Sequence, residues 1–226
     1  MNWFDGFEAF PTKKLNKNMK ITKRGDGNLL IYALKNEDEW SFRSSEDKEL
    51  IEKQFDLIAT KFAKLYPIGV TVIIPSGNPL NRYIAEVVTS KSNNARIIDG
   101  AISKLTVDEV DEIVLKRDSE FRKFYGEDFD SAYSQLETYF DEMDEERNGI
   151  FTRHKVYDKE MRNVLSDTLK VSKSRLARKS KYINGEDVLL IDDTISRGQT
   201  IKDACRIIQE SYSPKSITVL TLLSML

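Results

Sequence analysis

The 226-residue chain has 40% hydrophobic and 32% charged residues and a formal net charge of -2, which is typical of a folded globular protein. Its single cysteine, Cys205, excludes an intramolecular disulfide. With only one histidine, His154, the chain also cannot supply the four His or Cys ligands of a structural zinc site. A serine or cysteine hydrolase would have to use His154 as its base, but the basic neighbours of His154 favour a surface position. The sequence also has no Gly-x-Ser-x-Gly turn, so we do not expect this class of enzyme.

Neither end of the chain has the pattern of a targeting segment. The opening residues carry Asp5 and Glu8, where a signal peptide would be basic and then apolar. The most apolar stretch, 216–226, is much shorter than the about 20 residues that cross a bilayer. We therefore expect a cytoplasmic protein with no membrane partner.

The first 66 residues predict a small amino-terminal unit. A turn-rich segment at 24–28 before the apolar run 29–34 indicates short strands joined by a hairpin connection. Residues 45–66 predict a helix, with a capping box at Ser44 and a stop at Pro67. Its apolar stripe comprises Ile51, Phe55, Ile58, Phe62 and Leu65.

The residues that follow predict an α/β domain over 67–226. The β-branched run 70–74 is typical of a strand buried on both faces, and a turn, a helix over 80–91 and a strand over 95–98 come after it. This β-loop-α-β unit implies a parallel sheet. The pattern resumes late in the chain with a strand over 188–191, a helix over 200–211 that buries Cys205, and a strand over 217–223.

Between these two halves lies a long segment of split charge. Residues 106–147 carry 15 Asp/Glu against 5 Lys/Arg, whereas residues 151–181 carry 10 Lys/Arg against 3 Asp/Glu. Both parts have helical periodicity. One interpretation is a pair of amphipathic helical segments whose opposite charges face each other. The other is that the basic part closes over an anionic ligand.

The stretch 188–200 carries the most specific chemical signal. An apolar strand leads to two carboxylates, Asp192 and Asp193, and then to a short loop that opens a helix. A helix amino terminus presents unpaired N–H groups that suit a phosphate, and Gly198 allows close approach of the backbone. The hydroxyls of Ser196 and Thr200 can donate to the same phosphate, while the carboxylates can accept from ribose hydroxyls or hold Mg²⁺. Together these groups predict a ribose-5-phosphate site.

This stretch resembles the phosphoribosyl pyrophosphate (PRPP) motif of the type I phosphoribosyltransferases, with departures at Arg197 and Gln199. The resemblance implies that Asp192 and Asp193 are catalytic and bind the metal, Mg²⁺. It makes the following loop the substrate-binding segment: Thr194, Ile195, Ser196, Arg197, Gly198, Gln199 and Thr200.

A second segment is similar in position to the pyrophosphate loop of that family. Ser76, Gly77 and Asn78 follow the first core strand. The segment 73–76, together with the helix residues Asn81, Ala85 and Glu86, resembles the competence-protein F (amidophosphoribosyltransferase-like) branch. The resemblance does not cover 100–182, where the family has a mobile closing loop. We expect 170–182 to play that part, with Arg178 and Lys179 contacting substrate. The alternative for this segment is a basic helix that faces solvent or nucleic acid.

The resemblance implies a doubly wound, mainly parallel fold of the phosphoribosyltransferase type, with residues 1–66 as an acceptor-selecting hood and 100–182 as a helical insertion. The implied activity is Mg²⁺-dependent transfer of phosphoribosyl from PRPP to a small-molecule base or amine, with homodimer formation left open. A non-catalytic PRPP- or nucleotide-sensing module is the alternative, favoured by Arg197, Gln199 and the charged insertion. Nucleic acid is not an expected partner, because the sequence pI is near 5.7.

Overall fold

The structure is a computed structural model, and it describes residues 10–11, 33–34, 40–42, 44–77, 79–147, 149–152, 156, 161–162, 165, 168–172, 181–195 and 198–224. The strands are β1 Phe10–Pro11, β2 Trp40–Ser41, β3 Val70–Ile73, β4 Arg96–Ile98, β5 Ile102–Lys104, β6 Leu169–Val171, β7 Asp187–Ile195 and β8 Ser216–Ser224. The helices are α1 Ser45–Leu65, α2 Leu80–Ser90, α3 Val107–Lys116, α4 Asp118–Tyr125, α5 Phe129–Arg147 and α6 Gln199–Ser211, with a 3₁₀ turn at Gly126–Asp128.

A four-stranded parallel sheet in the order β4-β3-β7-β8 forms the centre of the fold. The β-branched run and its partners therefore form the predicted parallel β-loop-α-β unit, and the α/β class is confirmed. The order of the strands in space reverses relative to the chain between β3 and β7. Connections from β3 through α2 and from β7 through α6 thus lead away from each other.

Helices cover both faces of this sheet, which explains why its central strands are mainly apolar where β3 and β7 pair. On one face, Val72 and Leu190 pack against α6 through Ala204 and Ile208. On the other face, Leu189 and Ile191 pack against α1 and α2, through residues that include Phe55, Ala59, Ile84 and Val88. Alternation along a strand directs successive side chains to the two faces, so both sets must be apolar.

Helix α1 begins as predicted, because the Ser44 hydroxyl accepts a hydrogen bond from the Asp47 amide at 3.2 Å. The predicted stripe is wrong at its end, where Leu65 is 74% exposed at the last residue of the helix. The strand predicted over 29–34 is also wrong at its end, since Ala33 and Leu34 are helical. The other residues of that run and the 24–28 connection lie outside the described residues. Among the described helices, α1 included, none combines the length and apolarity needed to span a bilayer.

Most of the insertion has a core of its own. Helices α3, α4 and α5 bury a set of side chains separate from those of the sheet: Val110, Val114, Phe121, Phe129, Leu136, Phe140 and Met143 with Phe151, Met161 and Leu165. The insertion leaves and rejoins the sheet domain through the antiparallel pair β5 and β6. Its acidic α3 and basic β6 meet where Lys170 contacts the Glu109 carboxylate.

One buried carboxylate ties the insertion to α6. Asp203, with a side chain 1% exposed, accepts hydrogen bonds from the amides of Thr168 at 3.0 Å and Leu169 at 2.9 Å. Its other oxygen contacts Arg206, one turn further along α6. The returning strand β6 is therefore anchored on the helix whose amino terminus carries the predicted phosphate loop.

Candidate functional site

The carboxyl ends of β3 and β7 lie side by side, which brings the two predicted site segments together. The two strands pair in parallel through Ile73 and Ile191, and one further bond runs from the Ile74 amide to the Ile191 carbonyl at 3.1 Å. Beyond that point β3 turns into the loop 74–79, whereas β7 continues to Ile195 beside β8. On the side of β7 that faces β3, the described backbone pairing therefore ends before Asp192.

Both predicted catalytic carboxylates lie inside β7 and not in a loop after it. The prediction that this strand ends at Ile191 is wrong, because β8 pairs with Asp192, Thr194 and Ile195. Successive residues of a strand face opposite ways, and the burial of the two acids differs. Asp193 is 6% exposed, whereas Asp192 is half-buried. The two carboxylates therefore differ in their access to solvent.

Asp192 is held by two donors on neighbouring elements. Its Oδ1 accepts a hydrogen bond from the Asp193 amide at 3.1 Å and another from Asn81 Nδ2 at 3.4 Å. The same Asn81 nitrogen donates to the Ile74 carbonyl at 3.2 Å. Asn81 thereby connects the acidic pair on β7 to the first residue of the loop after β3.

The predicted pyrophosphate loop is open to solvent where the structure describes it. Ser76 and Gly77 are exposed, and a side chain added at Gly77 would meet nothing within 4 Å. Asn78, the third residue of this prediction, lies outside the described residues. The loop is short because α2 begins at Leu80, directly after Pro79 at the helix cap. Its backbone is accessible beside Asp192 without any need for a close approach at Gly77.

The predicted phosphate cradle begins at a left-handed glycine. Gly198 has φ 69° and ψ 8° at the cap of α6, a conformation that glycine adopts without a steric penalty. No side-chain bond caps this helix start among the described residues, and neither Gln199 nor Thr200 is fully buried there. The first-turn N–H groups and the positive end of the helix dipole therefore suit an anion.

Several predicted site residues cannot be placed. Thr194 and Ile195 form the end of β7, but their side chains are outside the described set, as are Ser196, Arg197, Arg178, Lys179 and His154 altogether. Cys205 lies on α6 and packs against the sheet core, as predicted. Burial raises the pKa of its thiol.

The donor set fits Mg²⁺ held jointly with a phosphate ligand. Mg²⁺ is usually bound by one or two carboxylates, with substrate phosphates and waters completing its octahedron. Asp192 and Asp193 supply two carboxylates in the carboxyl-terminal half of β7, and the Oδ1 atom of the neighbouring Asn81 is a buried oxygen to which no described group donates. Among the described residues, no cluster of three or more His, Cys, Asp or Glu side chains could hold an ion by itself.

Asn81 enters the sequence analysis only as part of a family resemblance and is given no role in the site there. It is 1% exposed on the inner face of α2, among apolar residues that include Leu80, Ile84 and Val88. An amide at an apolar-stripe position, here the second residue of the helix, is the signal that marks it. Its partners, however, come from the loop after β3 and from β7, which only the fold brings together.

Comparisons with known proteins leave the family open. No protein-family model matches the chain, and no curated protein is found to be similar to it. The crystal structure of TT1426 from Thermus thermophilus is similar at 12% identity, over 76% of this chain and 73% of that one, with a TM-score of 0.35. A TM-score this low does not establish a shared fold.

Proposed function

We propose that the protein is a phosphoribosyltransferase that binds PRPP with Mg²⁺ and transfers phosphoribosyl to a base or amine, releasing pyrophosphate. The observation that carries the proposal is that three features lie on one side of the sheet. The acidic pair of β7, the exposed loop after β3 and the glycine-led start of α6 all adjoin the carboxyl ends of two neighbouring parallel strands. Ligands of open α/β sheets bind at such ends, where the strand order reverses.

The finer architecture is part of the proposal. Helices on both faces and an order in which the first core strand lies between the second and third are features of doubly wound folds. Residues 1–66 and the insertion would then be additions to a phosphoribosyltransferase-like core. Segment 106–147 of the insertion has a net charge of -10, which would repel the anionic PRPP. We therefore place this segment on the side of the site where the acceptor would bind.

Each part of the site has a distinct proposed task. Asp192 and Asp193 accept hydrogen bonds from the ribose hydroxyls and would hold Mg²⁺, which supplies charge neutralisation to the pyrophosphate. The backbone amides of Ser76 and Gly77 donate to the pyrophosphate, and those at the start of α6 donate to the 5′-phosphate. The acceptor nitrogen forms a bond to ribose C1 as the bond from C1 to the pyrophosphate oxygen breaks. The electron pair of that bond leaves with pyrophosphate, which can take up the proton that the acceptor nitrogen loses.

Calorimetric titration with PRPP, with and without Mg²⁺, tests the proposal. We expect micromolar binding that needs Mg²⁺ and that the double variant Asp192→Asn/Asp193→Asn loses by at least about 100-fold. Asp187→Asn is the matched control, because Asp187 lies at the amino end of the same strand, away from the candidate site, and contacts Lys215 and Ser216. Unchanged affinity in the double variant would refute the site assignment.

Pyrophosphate release over a panel of bases and amines tests the catalytic half separately. Release that depends on one acceptor would support the transferase and identify its substrate class. Tight PRPP binding with no release on any acceptor would instead support the sensing module.

A further inference from the structure

The side chain of Asn81 is placed by the chemistry around it. Both groups near its nitrogen, the Ile74 carbonyl and the Asp192 carboxylate, are acceptors. With the amide reversed, its oxygen would face both of them, so the nitrogen must point toward Asp192. The Asn81 oxygen is then buried, and no described group donates to it.

This arrangement is unfavourable for the stability of α2 taken alone. The surrounding inner face of the helix is apolar, and a buried acceptor without a donor weakens a fold more than an apolar side chain of similar size would. The other buried polar residue of α2 has no such problem, because Thr89 and Thr71 share a hydrogen bond of 2.8 Å between their hydroxyls. Packing therefore does not explain an amide at position 81.

What the amide does achieve is to connect the two halves of the candidate site. One nitrogen joins the carbonyl at the start of the loop after β3 to the partly exposed carboxylate on β7. The described bonding between β3 and β7 ends with the bond from the Ile74 amide to the Ile191 carbonyl, and the Asn81 amide extends the connection from Ile74 to the Asp192 side chain. Asn81 thus links the Asp192 carboxylate to the start of the loop.

We propose that Asn81 is a positioning residue that holds the Asp192 carboxylate in register with the loop 74–79 for ligand binding. The proposal rests on the function proposed above, because it takes the bound ligand to be PRPP with Mg²⁺. Asn81 acts through Asp192 and is not itself a catalytic residue.

Two substitutions on α2 separate positioning from stability. Asn81→Leu removes the unpaired oxygen, which favours stability, and also the donor to the Ile74 carbonyl, which opposes it. Because these effects offset each other, we expect a melting temperature within about 2 °C of wild type and PRPP affinity reduced about 10-fold or more. Thr89→Val leaves Thr71 without its partner, so we expect a melting temperature lower by about 5 °C and affinity within twofold of wild type. Asn81→Ala serves as the second variant, in case leucine is too large for the site.

Amide hydrogen exchange in the ligand-free protein gives a readout independent of PRPP. The Asp193 amide donates to the Asp192 carboxylate, so its exchange rate reports whether that carboxylate stays in place. We expect about 10-fold faster exchange at Asp193 in either Asn81 variant, with the Ile74 amide unchanged. In Thr89→Val the exchange at Asp193 should match wild type.

The outcomes distinguish the inference from the function on which it rests. If wild type binds PRPP and both Asn81 variants bind as well as wild type, the positioning role is refuted while the function stands. If wild type does not bind PRPP, the proposed function fails and amide exchange alone decides. Faster exchange confined to Asp193 then supports positioning, and unchanged exchange refutes it.

Discussion

The bond network of Asp203 leads to a quantitative prediction about how the insertion is attached. Asp203→Ala removes a carboxylate that accepts from two backbone amides at 3.0 and 2.9 Å. Hydrogen bonds to charged groups are each worth about 1.5–3 kcal/mol, and breaking a buried ionic arrangement costs about 3–5 kcal/mol. We therefore expect the free energy of unfolding to fall by about 3–5 kcal/mol.

The isosteric variant Asp203→Asn separates the hydrogen bonds with the backbone amides from the contact with Arg206. Its carbonyl oxygen can accept from the amides of Thr168 and Leu169, but its NH₂ group then faces the guanidinium of Arg206. An amide cannot satisfy both sides, so we expect a loss of about 1–3 kcal/mol.

Urea denaturation followed by circular dichroism measures both variants, and Glu210→Ala is the matched control. Glu210 contacts the same arginine at 2.9 Å but is 61% exposed, and such pairs contribute under about 1 kcal/mol. Hydrogen exchange at Thr168 and Leu169 locates the loss, which should appear there first. A change of under about 1 kcal/mol in Asp203→Ala, with those amides still protected, would refute the anchoring role.

Three further predictions concern the insertion and α6. Leu136→Ala, at a buried position of the insertion core, should lower the free energy of unfolding by about 2–5 kcal/mol in the same denaturation assay. Its control is Leu115→Ala, at a side chain that is 57% exposed, which should change that free energy by under about 0.5 kcal/mol. Burial opposes the charge of Glu109, but hydrogen bonds from Lys170 and Thr106 outweigh it and hold the pKa of this carboxyl below its usual range. The stability advantage of wild type over Glu109→Gln should therefore be complete above about pH 5, the usual glutamate range, and vanish as pH falls through the lowered pKa in acid unfolding curves. Because burial raises the pKa of the Cys205 thiol, a thiol reagent at about pH 8 should modify it more slowly than a model peptide cysteine, and equal rates would contradict its packing against the core.

The sheet domain is predictable from local sequence because its signals are local. The run 70–74 and the helix after it have the apolar patterns of a buried strand and an amphipathic helix, and the structure has them within one residue of the expected bounds. The end of β7 is not predictable in this way. Asp192 and Asp193 are poor strand residues, and they are extended because β8 pairs with that stretch through Ser224.

The same distinction applies to the candidate site. The acidic pair and the glycine-led helix start are contiguous in the chain, so their chemistry can be recognised from the sequence. Asn81 bonds to Asp192 across a separation of 111 residues and to Ile74 across 7, and neither bond has a signature in the sequence around it. What did mark Asn81 was a local conflict, a polar residue on an otherwise apolar helix face. Natural sequences usually keep local preference and overall fold in agreement, so such a conflict at the junction of two predicted site segments is itself an argument for function.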